Sequence, residues 1–244
     1  MTRTRAVAGA VTVALLVACS RIVDIRPWVA HKNQRLEDGD TLVTLQHGIR
    51  ASVRYMRDAE LDDMFRLPGG VIRETGNPFI CRPPHAPARF TVFRVTVHNE
   101  SEYDTFVEPD KILLRTNRST EHHPLTRQQL IDYWIGRVTV ELGKPLTWTP
   151  QMDAVRRLEV KEKSLRATIY EGGRLPSRGE HTGYLAFRDL PVTLKTMQLM
   201  VEVVTRSSRY GNPLDVALMA FNFGRIKVPV PPKDVDDQSE WIGE

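Results

Sequence analysis

The chain has 244 residues, 41% hydrophobic and 26% charged, a composition that suits a folded core and excludes disordered, collagen-like and many-times-spanning classes. The net charge is +4, and basic residues are scattered among acidic ones, so no stripe marks a nucleic-acid surface. Cys19 and Cys81 are the only cysteines, which excludes a disulfide framework.

Residues 1–19 divide into a basic start (Arg3, Arg5), an uncharged run AVAGAVTVALLVA over 6–18, and Cys19. A membrane-spanning helix needs about 20 apolar residues. Thirteen is too few, and falls within the apolar segment of a secretory signal. Leu16-Val17-Ala18-Cys19 resembles the lipobox of bacterial lipoproteins. The resemblance covers the first 20 residues. It implies that Cys19 carries diacylglycerol, that cleavage falls before it, and that Ser20 directs the protein to an outer membrane facing the periplasm. Three acyl chains anchor far more firmly than one. The competing reading is a secretory signal with Cys19 incidental. Without residues 1–18 the net charge is +2 (32 Lys+Arg against 30 Asp+Glu).

Residues 19–40 carry no sustained period and contain Pro27 and Asp38-Gly39-Asp40; they read as lipid anchor and tether, with order beginning near 41. Trp28 either packs on the domain or sits at the lipid headgroups. Over 41–56 the period becomes two, with Ile49, Ala51, Val53 and Tyr55 sharing one face of an antiparallel strand. DAELDDMF (58–65) reads as a short helix opening at Asp58, and this explains its acidic cluster better than a Ca²⁺ loop does. A Gly- and Pro-rich loop spans 68–88, long enough to be either functional or loosely ordered.

FTVFRVTVHNESE, from Phe90, predicts the strongest strand, with Phe93, Val95 and Val97 on one face and a turn at Asn99–Glu102. The phrase VTVHNESEYDTFVEPDKILL, with a later LPxxGxxxxGYLAF, resembles the Ig-like sandwich domains of bacterial envelope lipoproteins. Two helices follow. One spans 126–138, opened by a Thr126/Gln129 capping box. The other spans 151–171, stopped at Gly172-Gly173, with an apolar stripe suited to packing on the sheet or to a partner coiled coil. Strands return over 174–205 and 213–228. Residues 229–244 form an acidic, Pro-rich tail, read as flexible; Trp241 and Ile242 there are either a docking motif or a frayed end.

The expected fold is therefore mainly β: an Ig-like antiparallel β-sandwich over 41–228 with a two-helix insertion. Nucleophile elbow, HExxH, Walker A, GxGxxG and CxxC motifs are absent. His122 and His123 are weak metal candidates, since adjacent residues on an extended chain point apart. Cys81 reads as a partly buried free thiol, with a Cys81–His85 nucleophile as the alternative. The site residue the sequence offers is Cys19, for lipidation. No cofactor and no nucleic acid is expected. The expected partners are membrane lipid, through acylated Cys19, and another envelope protein. The expected role is a non-enzymatic binding or structural module. The alternatives are an accessory lipoprotein of a transport or secretion complex, or an envelope hydrolase.

Overall fold

The computed structural model describes residues 21–66, 76–79, 90–142, 148–188, 190, 193–207 and 213–229. Two antiparallel sheets pack face to face. The first contains β1 (Arg21–Trp28), β6 (Thr105–Val107), β7 (Leu113–Thr116), β8 (Glu121–His122), β9 (Gly173–Leu175), β11 (Thr196–Ser207) and β12 (Pro213–Pro229). Its order is β1-β12-β11-β6-β9, with β7 also paired to β11 and β8 to β7. The second contains β2 (Gln34–Glu37), β3 (Thr41–Gln46), β4 (Ile49–Met56), β5 (Thr91–Asn99) and β10 (Glu180–Phe187), in the order β10-β5-β4-β3-β2. Helices α1 (Asp58–Met64), α2 (Arg127–Leu142) and α3 (Trp148–Thr168) complete it. The sandwich with its two-helix insertion is thus the observed architecture.

Alternation builds the core. In β5, Phe93, Val95 and Val97 are fully buried between the sheets, beside Phe187 of β10 and Phe223 of β12. The Phe93 and Phe223 rings lie 4.9 Å apart and tilted, and Phe93 meets Phe187 edge-on at 6.0 Å. Such contacts add to the burial of large rings. The opposite face of β5 changes along its length. Phe90 and Val92 are buried beneath the helices, whereas Arg94 is exposed. Leu130 and Trp134 of α2 and Leu165 of α3 form this second core with Phe79, Tyr184 and Ala186. The Trp134 indole N–H donates to the Pro78 carbonyl at 2.8 Å, so its polar edge is satisfied where it is buried.

Several expectations change. Residues 21–37 are not a tether: β1 and β2 belong to the sheets, and β1 pairs with β12 from Arg21↔Pro229 to Trp28↔Asn222. Pro27 and the charges hid β1, but an edge strand tolerates a missing N–H and keeps charges at its margin. The Trp28 ring lies over Gly224, where an added side chain would meet it at 3.3 Å, and it remains 39% exposed. Residues 41–56 are two strands, not one. His47 (φ 51°) and Gly48 (φ 75°) make the two-residue turn between them, and His is an unusual first residue for it. The Thr126 N–H donates to Gln129 Oε1 (2.9 Å) and the Gln129 N–H to Thr126 Oγ1 (3.2 Å), completing the capping box. Helix α3 stops at Thr168, before the glycines, because Ile169 and Tyr170 turn extended beside β10. Residues 80–89 and 230–244 lie outside the described residues, as do Cys81, His85 and Trp241.

Candidate functional site: the N-terminal strand and its charged seam

Cys19 lies outside the described residues, but the strand that follows it does not. Arg21, two residues beyond Cys19, is already paired with Pro229. Strand β12 runs past the start of β11, whose first partner is Thr196↔Gly224. The Arg225 N–H still donates to the Lys195 carbonyl (2.9 Å), and from Ile226 to Pro229 the strand pairs with β1 alone, so the two leave the sheet edge as a ribbon.

What holds β1 down is a seam of alternating charges. Asp24, buried, accepts from Arg57 Nε (3.1 Å), from Arg26 Nε (3.1 Å) and from the Ile25 N–H (3.0 Å). Arg54 pairs with Asp40 (3.0 Å) and with Glu60. Arg57 also faces Asp40 and Glu60, each at 3.7 Å. Asp24 and Arg26 come from β1, Asp40 from the β2–β3 turn, Arg54 from β4 and Glu60 from α1. The seam therefore ties the edge of one sheet to the other sheet and to the first helix. Its geometry has a local cause: Glu60 Oε2 accepts the Arg57 N–H at 2.9 Å, which opens α1 and fixes where Arg57 leaves the backbone.

Burial pushes the Asp24 carboxyl upward, but hydrogen bonds from Arg57 and Arg26 outweigh it, and its pKa lies below the ordinary Asp value. The hydrogen bond to Asp24 in turn raises Arg57. Behind the seam, burial, with the nearby charges of Asp58 and Asp24, pushes the Tyr55 hydroxyl up to about 12. Asp24 thus stays ionised at neutral pH and is poorly matched to proton transfer. The seam works as a latch.

A carboxylate with a depressed folded pKa stabilises the fold above its unfolded value, about 3.9 for Asp, and loses that contribution as pH falls through the folded value. Asp24→Asn should therefore cost about 1–2 kcal/mol at pH 7, discounted because Arg26 and Arg57 are part-exposed. The difference from wild type should shrink as the pH falls below about 3.9, the unfolded value. Urea titrations at pH 7 and pH 3 measure both; equal losses at the two pH values would refute the latch.

The other sequence candidates separate. His122 lies in β8 with its Nε2 3.4 Å from Thr120 Oγ1. Among the described residues no three His, Cys, Asp or Glu side chains are placed to share a metal ion. Three of the four acidic residues of α1 are already engaged: Glu60 in the seam, Asp63 with Arg66, and Asp62 accepting from Asn77 at 3.2 Å. Lys161 donates to the Asn77 carbonyl (2.6 Å) and lies 4.2 Å over the Trp134 ring. A shallow concavity of ≈ 210 Å³ beside β2 is lined by Lys32, Arg35 and Arg50, but Arg35 pairs with Glu37 and Arg50 with Glu100. Sequence reasoning missed the seam because its partners are 33 residues apart (Asp24 to Arg57), a separation no local period reveals.

No protein-family model and no curated protein matches the chain. Among solved structures, the yjhA protein from Bacillus subtilis is similar at 13% identity and a TM-score of 0.35, over 72% of this chain and 93% of that one. The fold stands on the strand pairing described above.

Proposed function

We propose that this is a lipid-anchored protein of a bacterial envelope, a non-enzymatic binding module held at the outer membrane through acylated Cys19. The observation that carries the reading is the junction between lipobox and fold. Leu16-Val17-Ala18-Cys19 is followed by one serine and then by a strand already in the sheet. A two-residue link spans at most about 7 Å. Cleavage before Cys19 would remove only residues that precede the sheet, and the acyl chains would hold the sandwich against the bilayer surface, with the β1–β12 ribbon nearest the lipid. The latch then has a purpose: it resists transfer of the anchor's pull into the strand. Among the described residues no helix is long and apolar enough to cross a membrane.

Intact-mass measurement of the protein extracted from membranes tests this. The expected mass is that of residues 19–244 plus diacylglycerol and an amide-linked acyl chain. Cys19→Ala should shift the protein from the membrane to the soluble fraction. A mature chain beginning beyond residue 19, or one carrying no lipid, refutes the anchor.

A further inference from the structure

The two sheets differ on their outer faces. The helices cover part of the second sheet, where Met56, Val92, Tyr184 and Ala186 meet them. The outer face of the first sheet has no such cover among the described residues, and its centre is apolar. Strand register places Phe106, Val204 and Val216 in one row across β6, β11 and β12. Leu113, Met200 and Ala220 form another, across β7, β11 and β12. Leu218 lies between the rows, directly opposite Glu202. Phe106 is 47% and Leu218 48% exposed, large values for such side chains in a sheet centre. With same-face residues about 7 Å apart along a strand and strands about 4.8 Å apart, the patch covers on the order of 300 Å². Its margin is polar and internally paired: Arg115 with Glu121, and Arg174 with Asp104. An apolar centre within a polar rim is the anatomy of a protein interface.

Glu202 decides what fits. It is half-buried in the middle of this patch, and among the described residues it makes no ion pair. A covering surface must supply a cation or leave that carboxylate desolvated and unpaired. A second copy docked face to face would bring one Glu202 toward the other, a repulsive contact. An anionic lipid surface repels it too. The chain's own C-terminal tail is the wrong sign, with Asp234, Asp236, Asp237, Glu240 and Glu244 against Lys233. We infer that this face docks a protein segment that sets one Lys or Arg among aliphatic side chains, and that Glu202 is its specificity-determining contact. This deepens the binding-module reading above by naming the surface and the chemistry of its partner.

The test places a benzophenone amino acid at Leu218 of the full-length chain in its native membranes, with irradiation and peptide mapping of the adduct. The expected result is a protein adduct whose cross-linked peptide carries Lys or Arg beside apolar residues. Glu202→Lys should lower its yield at least about tenfold, and Glu202→Gln by less. Thermal melts of both variants check folding; if Glu202→Lys fails to fold, Glu202→Gln alone must lower the yield. An adduct with a second copy, an adduct with lipid, a yield indifferent to Glu202, or no adduct overturns the inference. The protein's own mass in the same preparation reads the anchor separately, so an unlipidated chain that still cross-links refutes the anchor and leaves the docking face standing.

Discussion

Asn99→Ala is expected to destabilise the fold by about 3–5 kcal/mol, lowering Tm by roughly 6–20 °C for a chain of this size. The Asn99 amide is fully buried at the end of β5 and uses both of its ends. Its Nδ2 donates toward the carbonyls of Tyr103 (2.7 Å), Pro176 (3.1 Å) and Leu175 (3.2 Å). Its Oδ1 accepts from the Ser101 N–H (3.0 Å) and hydroxyl (2.7 Å). The Asn99 N–H donates to the Gly179 carbonyl at 2.9 Å. One side chain therefore shapes the β5–β6 turn and pins it to the β9–β10 connection, where the two sheets meet. Truncation removes five hydrogen bonds at a fully buried position and leaves the Ser101 N–H without its acceptor, while the carbonyls keep second donors in Ser101 Oγ (3.0 Å to Tyr103), the Gly179 N–H (2.9 Å to Pro176) and Thr105 Oγ1 (3.5 Å to Leu175). Asn99→Asp should also be costly, because it offers a negative oxygen to carbonyls that need an N–H. Equilibrium denaturation of the three proteins tests this. A loss under about 1 kcal/mol for Asn99→Ala would show that water replaces the amide.

This asparagine shows how far the sequence can be read. Asn99 stands out there within HNES as a turn residue, and its position is right. Its reach to Leu175 and Pro176, more than 75 residues on, is invisible to any local rule. The same division holds through the chain. Period-two runs such as Phe93, Val95 and Val97 announce a sandwich strand because one face is buried along its whole length. The capping box at Thr126 announces α2 because its chemistry is contained in four residues. Strand β1 escapes because an edge strand with Pro27 and a paired Asp24 lacks the alternation that burial on one face imposes. The hairpin at His47-Gly48 escapes because its first left-handed residue is not the expected Asn or Asp. At the candidate site, the proposed attachment point at Cys19 rests on four contiguous residues, 16–19, which a local pattern can carry. The seam and the Glu202 face have no such pattern, because sheet register assembles them from distant strands.

Gly183→Ala is the second large effect, expected at about 2–4 kcal/mol, where an alanine at Gly136 in α2 should do the opposite. In β10, Gly183 lies where the chain leaving α3 crosses the sheet edge. A methyl group there would sit 2.7 Å from Tyr170 Cα and 2.8 Å from its nitrogen, which is backbone and cannot swing aside. That close approach lets the Tyr170 N–H donate to the Tyr184 carbonyl (3.0 Å), while the Leu125 N–H donates to the Ala186 carbonyl (2.8 Å). Together these contacts occupy an edge of β10 that would otherwise offer unpaired groups to another strand. They also seat the helical layer, since Tyr184 and Ala186 belong to the core beneath α2 and α3. An added methyl must push the helical layer outward. Protection of the Tyr170 and Leu125 amides should then fall more than that of β11 and β12, because the damage begins at the helix–sheet seam. Gly136, within α2, is the control: a methyl there meets nothing within 4 Å, so Gly136→Ala should stabilise the chain by about 0.5–1 kcal/mol through helix propensity and reduced unfolded-state entropy. Hydrogen exchange and thermal melts on the two variants separate these effects. If Gly183→Ala melts with the wild type, or loses protection evenly across both sheets, the crossing at Tyr170 does not hold the helices in place.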